Sequence, residues 1–142
     1  MIDATTYGEL AQLAHRFWGA LDRNDYGGLL RLVTTDCRWN RGGRWREGGA
    51  DIEAALLERP AGLFVRHLIT NLEAELREDG SAVCSYYLSA FSSRAAKDGP
   101  PPYPAAAPVL MADYRAVCVR TETGWSYKEL GGATTFRAQP AA

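Results

Sequence analysis

Residues 65–91, VRHLITNLEAELREDGSAVCSYYLSAF, hold two runs rich in β-branched and aromatic side chains, separated by Glu78, Asp79, Gly80 and Ser81. An Asp-Gly pair between two such runs is the strongest short-range signal for a β-hairpin. Residues 64–78 and 82–93 are therefore predicted to be long strands that pair antiparallel. The period of two places Val65, His67, Ile69 and Asn71 on one face of the first strand and Arg66, Leu68, Thr70 and Leu72 on the other. A face of Val, His, Ile and Asn reads as the wall of a lined cavity, and it carries one of only two histidines in the chain. The second strand offers two parities, with Cys84, Tyr86, Leu88 and Ala90 on one side and Val83, Ser85, Tyr87, Ser89 and Phe91 on the other. Alternation leaves open which of them points inward.

Before this hairpin the pattern is helical. Leu10, Leu13, Ala14, Phe17, Trp18 and Leu21 recur at helical spacing, which predicts a helix over 6–22, capped by Thr5 or Thr6 and ending near Arg23. RNDYGG turns the chain into a short second helix over 26–33. TTDCRWN alternates like a strand, RGGRWREGG reads as a loop whose glycines tolerate positive φ, and residues 50–57 form a third helix stopped by Pro60. After the long hairpin, KDGPPPYPAAAP at 97–108 holds five of the seven prolines, which excludes an interior strand and predicts a mobile flap at one end of the fold. Residues 109–121 and 125–136 form a second hairpin around TETG, and 138–142 read as a flexible tail. The expectation is an α+β domain over 1–137, in which four long strands make one curved antiparallel sheet around the first helix, as a cone with a mouth.

Composition narrows the partners. The 142 residues are 46% hydrophobic, with 16 basic against 17 acidic side chains and a formal charge of -1. Such a balance offers no field for nucleic acid or an anionic membrane. No apolar run is long enough to span a bilayer, and the start MIDATTYGEL lacks a secretory pattern, so a cytoplasmic protein is expected. Cys37, Cys84 and Cys118 are scattered among apolar neighbours and read as buried thiols. With only His15 and His67, and no clustered carboxylates, no metal site is expected.

The order of elements and four phrases carry a resemblance that spans nearly the whole chain. ALDRNDYGGLLRLVTTDCRW follows the first helix, REGGADIEAALLER opens the third, RHLITN begins the first long strand, and GWSYKEL lies on the last. In these the chain resembles the SnoaL-like group of the NTF2-like superfamily, which includes scytalone dehydratase, bile-acid dehydratases, ketosteroid isomerase and polyketide cyclases. The resemblance implies a curved-sheet cone, often dimeric, with an apolar pocket between helices and sheet and usually no metal or organic cofactor. In the dehydratase-like members an aspartate at the end of the first helix holds a histidine on the strand after the third. The matching positions are Asp22 and His67, which makes His67 the candidate general base and Asp22 its orienting partner. Leu21 stands where some dehydratases carry a tyrosine, and no histidine follows His67.

A neutral imidazole held by a carboxylate at one nitrogen presents the other as a base, which suits removal of a proton α to a carbonyl. Asn71, Tyr86, Tyr114, Phe17 and Trp39 are the candidate substrate-binding residues, with tyrosine hydroxyls as donors to a developing enolate. The arginines at 38, 41, 44 and 46 read as a solvated loop paired with Glu47, Asp51 or Glu53, in preference to an anion site. The expected activity is a cofactor-independent dehydratase, isomerase or cyclase acting on a small hydrophobic cyclic carbonyl compound, and the alternative is a non-catalytic binding module in the same cone. A homodimer through the outer face of the sheet is expected, with Leu88, Val117 and Val119 as candidate contacts.

Overall fold

The first helix sets the position of everything that follows. A computed structural model describes residues 1–104, 108 and 110–138, and in it α1 runs Ala4–Asp22. The cap is Asp3, earlier than the expected Thr5 or Thr6, because its carboxylate accepts both the backbone N–H and the hydroxyl of Thr6 at 2.9 Å. Leu10, Leu13, Ala14, Phe17, Trp18 and Leu21 are buried as their spacing predicts. The second helix, α2 (Tyr26–Leu30), is shorter than expected, since Val33 already belongs to β1 (Val33–Arg41).

RGGRWREGG is not a loop. Gly42 and Gly43 both adopt positive φ, 58° and 86°, which is what a two-residue hairpin turn needs at both central positions. They fold Arg44–Glu47 back as β2 against β1. Helix α3 (Gly49–Leu57) follows, and then the four long strands, β3 (Phe64–Leu76), β4 (Ala82–Ser93), β5 (Leu110–Thr121) and β6 (Gly124–Arg137). Their order in one six-stranded, unclosed sheet is β2-β1-β6-β5-β4-β3. The four long strands pair antiparallel as expected, but β1 lies parallel to β6, so the sheet is mixed. Parallel neighbours need a long connection, and most of the chain supplies it. Among the described residues no helix is long and apolar enough to cross a membrane.

The face of β3 changes phase partway along. Val65, His67 and Ile69 point inward, yet Asn71 is exposed, and Leu72 and Ala74 take the inward side beyond it. Residues 71 and 72 together oppose Tyr86, a bulge in which Asn71 sits at φ 56°. Strict alternation would have driven Glu73 and Glu75 inward, so Asn71 does not share the His67 face. On β4 the inward parity is Cys84, Tyr86, Leu88 and Ala90. Leu88 is therefore core and cannot serve an outer interface, whereas Val117 and Val119 lie on the outward side.

Of the proline-rich segment, residues 99–104 carry no strand and Tyr103 packs against Phe64 at 4.9 Å between ring centroids. Residues 105–107, Val109 and the tail beyond 138 lie outside the described residues. All three cysteines are free and buried, and burial pushes the Cys37 thiol up to about 12, so it behaves as an apolar side chain.

At the centre, Phe17 is fully buried and meets Trp18, Trp39 and Tyr127 edge to face at 5.1–5.2 Å. Phe17→Ala should lower stability by about 3–5 kcal/mol in urea unfolding, as loss of a core aromatic does. At the bulge, Asn71→Val should cost about 1–2 kcal/mol, because a β-branched side chain resists the left-handed region, while Asn71→Gly should leave the unfolding midpoint nearly unchanged.

Candidate active site

Asp22 ends α1, and both of its carboxylate oxygens reach residue 67 on β3. Oδ2 accepts the backbone N–H of His67 at 2.9 Å and Oδ1 lies 2.6 Å from His67 Nδ1. The two side chains are 9% and 11% exposed, so the pair is held away from bulk water. A carboxylate on Nδ1 selects the tautomer with its proton there and leaves Nε2 with a free lone pair. Trp18, one helical turn before Asp22, places its indole 4.8 Å from the imidazole and limits how far the ring can turn.

His67 opens into a cavity of about 300 Å³ bounded by Trp18, Leu21, Trp39, Val65, Leu88 and Tyr114, with Arg41, Gly42, Arg59 and Leu63 at its rim. Tyr114 lies on β5, inside the sheet, because Gly132 faces it on β6; a Cβ at Gly132 would come within 2.3 Å of the phenol ring. Trp39 Nε1–H donates to the Tyr114 hydroxyl at 3.3 Å. That bond occupies an acceptor position and leaves the hydroxyl hydrogen free to donate. Burial holds the Tyr114 hydroxyl above the ordinary tyrosine range, against the pull of the Trp39 bond and the Arg41 charge, so the phenol remains a neutral donor.

The sequence-derived candidates therefore divide. Asp22 and His67 are in contact, and Trp39 and Tyr114 line the same cavity. Tyr86 lies behind it: its hydroxyl accepts the Trp18 Nε1–H at 2.9 Å and its ring stacks on Tyr114 at 5.7 Å. Phe17 is core and does not line the cavity, and Asn71 lies with Glu73, Tyr87 and Asp113 in a separate surface cleft. Trp18, Arg41 and Arg59 join the site without being among the substrate-binding candidates. The spacing from Trp18 to Asp22, one helical turn, is the available signal for the first, while nothing local marks Arg59.

A larger cleft of about 740 Å³ lies near the N-terminal half of α1, between Glu9, Arg16, Arg31, Arg120 and Trp125. Its Glu9 is already engaged by Arg120 at 3.3 Å and by the Trp125 indole at 3.1 Å. It holds no base oriented by a second group, so the smaller cavity is the candidate site. Among the described residues no group of three or more His, Cys, Asp or Glu side chains is placed to hold a metal ion.

The fold is shared with solved structures at low sequence identity. The protein Aln2 from a Streptomyces species matches with a TM-score of 0.81 and 20% identity, over 94% of each chain. A candidate dehydratase of the NTF2-like family from Streptomyces avermitilis matches with a TM-score of 0.76 and 14% identity, over 93% of this chain and 97% of its own. A type 2 hexachlorocyclohexane dehydrochlorinase matches with a TM-score of 0.74 and 14% identity, over 94% of this chain and 88% of its own. No curated protein matches the chain in sequence. The family profile of the SnoaL-like domain matches residues 3–130, most of the chain, and the chain belongs to the SnoaL-like family.

Proposed function

We propose that this protein is a cytoplasmic, cofactor-independent dehydratase, isomerase or cyclase that acts on a small hydrophobic cyclic carbonyl compound. The observation that carries this reading is the double contact of Asp22 with His67 at the wall of an apolar cavity. Oriented in this way, Nε2 is the base for a proton α to the substrate carbonyl, and the free Tyr114 hydroxyl hydrogen stabilises the enolate oxygen. In a dehydration the imidazolium then returns its proton to the β-hydroxyl, which leaves as water, and the enolate collapses to the conjugated carbonyl. Isomerisation and cyclisation share the first step and differ in where the enolate carbon next reacts. Trp39 acts through Tyr114, whose hydroxyl it positions.

The same reading includes a homodimer through the outward face of the sheet. Leu68, Tyr87 and Phe136 are 45%, 41% and 65% exposed there, and Val117 and Val119 are half-buried on the same side farther along β5. Exposed apolar side chains on an extended face favour a self-complementary interface.

On a β-hydroxy cyclic ketone, His67→Ala should lower turnover by about 10²-fold or more with the fold retained, the scale of losing a general base. Turnover unchanged in His67→Ala would remove His67 as the base, and binding without turnover in the unaltered protein would make the cavity a binding pocket instead of a catalytic one. Asp22→Asn should be nearly as severe. Its single acceptor is best used on the His67 backbone N–H, so its NH₂ faces Nδ1, and the ring proton moves to Nε2 where the base is required. Sedimentation at micromolar concentration should show a dimer that Phe136→Glu weakens; monomer alone in the unaltered protein would rule out that interface.

A further inference from the structure

Two guanidinium groups stand at the rim of the His67 cavity, and among the described residues neither has a carboxylate in salt-bridge range, since Glu58, which borders the adjoining cleft with both, pairs with Arg46. Of the four arginines on β1 and β2, Arg38 pairs with Glu47 and Glu129 at 3.2 and 3.3 Å, Arg46 pairs with Asp51 and Glu58 at 3.6 and 3.8 Å, and Arg44 is exposed. Arg41 is different. It is half-buried, lies over the Trp39 ring at 4.8 Å, and no carboxylate among the described residues comes within 4.0 Å of it. Arg59 borders the same cavity, and its Nη1 donates only to neutral acceptors, the Leu21 carbonyl at 3.0 Å, Asn24 Oδ1 at 3.1 Å and the Tyr26 hydroxyl at 3.4 Å. Asp22, next to Leu21, has both oxygens committed to His67.

The surroundings disfavour the Arg41 charge. Burial and then the neighbouring Arg59 charge both hold its guanidinium below the usual arginine range. A partly desolvated cation without a counter-ion is costly, and an anion that binds between two such groups relieves both. Guanidinium forks fit a planar carboxylate, and the Trp39 face behind Arg41 fixes the direction from which that carboxylate must approach. The two charged side chains that the cavity offers a ligand from this rim, Arg41 and Arg59, are donors only, so the group complementary to them is an acceptor with negative charge.

We propose that the substrate is a cyclic carbonyl compound bearing a carboxylate side chain, which Arg41 and Arg59 receive at the mouth while the ring lies against Trp18 and Trp39. This deepens the reading above and rests on it for the seating of the ring, but binding of the acid does not depend on turnover. A matched pair of probes tests it: 2-naphthylacetate and its uncharged analogue 2-naphthylacetamide, titrated into the full chain by calorimetry and tryptophan fluorescence. The acid should bind about tenfold more tightly or better, the scale of a charge-assisted contact. Arg41→Gln, whose native side chain makes no hydrogen bond among the described residues, should abolish that preference with the circular dichroism spectrum unchanged. Arg59→Gln should reduce it, and His67→Ala should retain it, which separates an arginine effect from attraction to a protonated imidazole. Equal affinity for acid and amide, no binding of either probe, or a preference that survives Arg41→Gln would overturn the proposal. Failure of the catalytic reading would appear separately, as turnover indifferent to His67→Ala.

Discussion

The contact between Asp22 and residue 67 fastens the end of α1 to the inward face of β3, and the candidate site is organised around it. One carboxylate serves two donors, the backbone N–H and the ring of a single residue. The backbone contact fixes where the strand passes the helix, and the ring contact fixes the imidazole about its own bonds. Because Trp18 and Asp22 lie one turn apart on the same helix face, the indole and the carboxylate approach the histidine together. A neutral side chain at position 22 would leave a half-buried amide hydrogen or an unoriented ring, so helix, strand and imidazole depend on the same charge.

The core and the cavity are not separate regions in this protein. Phe17 holds Trp18 and Trp39 from behind, and each indole N–H is satisfied by a tyrosine hydroxyl, Trp18 by Tyr86 and Trp39 by Tyr114. The two tyrosines stack on one another. The indole N–H groups of Trp18 and Trp39 thus find partners inside the cone, and one of those pairings also aims the Tyr114 hydroxyl. Side chains that secure the fold in this way also set the direction of a hydroxyl at the cavity wall.

Much of the fold is legible in periodicity, because the strongest patterns are the longest ones. The Phe17 and Trp18 stripe on α1 and the Asp79-Gly80 hairpin are local signals in which propensity, burial and turn chemistry agree. A change of rule within one element is what periodicity misses. The bulge at Asn71 reverses the phase of β3, and its trace lies in Leu72, Ala74, Glu73 and Glu75, whose alternation is opposite to that of Val65 and His67. Gly42 and Gly43 are as compatible with a flexible loop as with a tight hairpin, and only the pairing of the short runs on either side decides between them. At the site, Asp22 and His67 are legible only through resemblance, since the residues stand 45 apart in the chain and no spacing rule links them. Arg41 and Arg59 are not legible at all as a pair, because they come together only through the packing of β1 and α3 against the same opening.

That opening has a divided origin. Asp22 and His67 come from α1 and β3, whereas the rim residues Arg41, Gly42 and Arg59 come from the tip of the first hairpin and the segment just after α3. Gly42 is exposed at a two-residue turn beside an edge strand, where lengthening the tip or changing its charge disturbs few backbone hydrogen bonds. On the proposed reading, chemistry and selectivity therefore sit on different modules of the chain, and a change at the hairpin tip can alter which ligand is held while the Asp22–His67 contact stays intact.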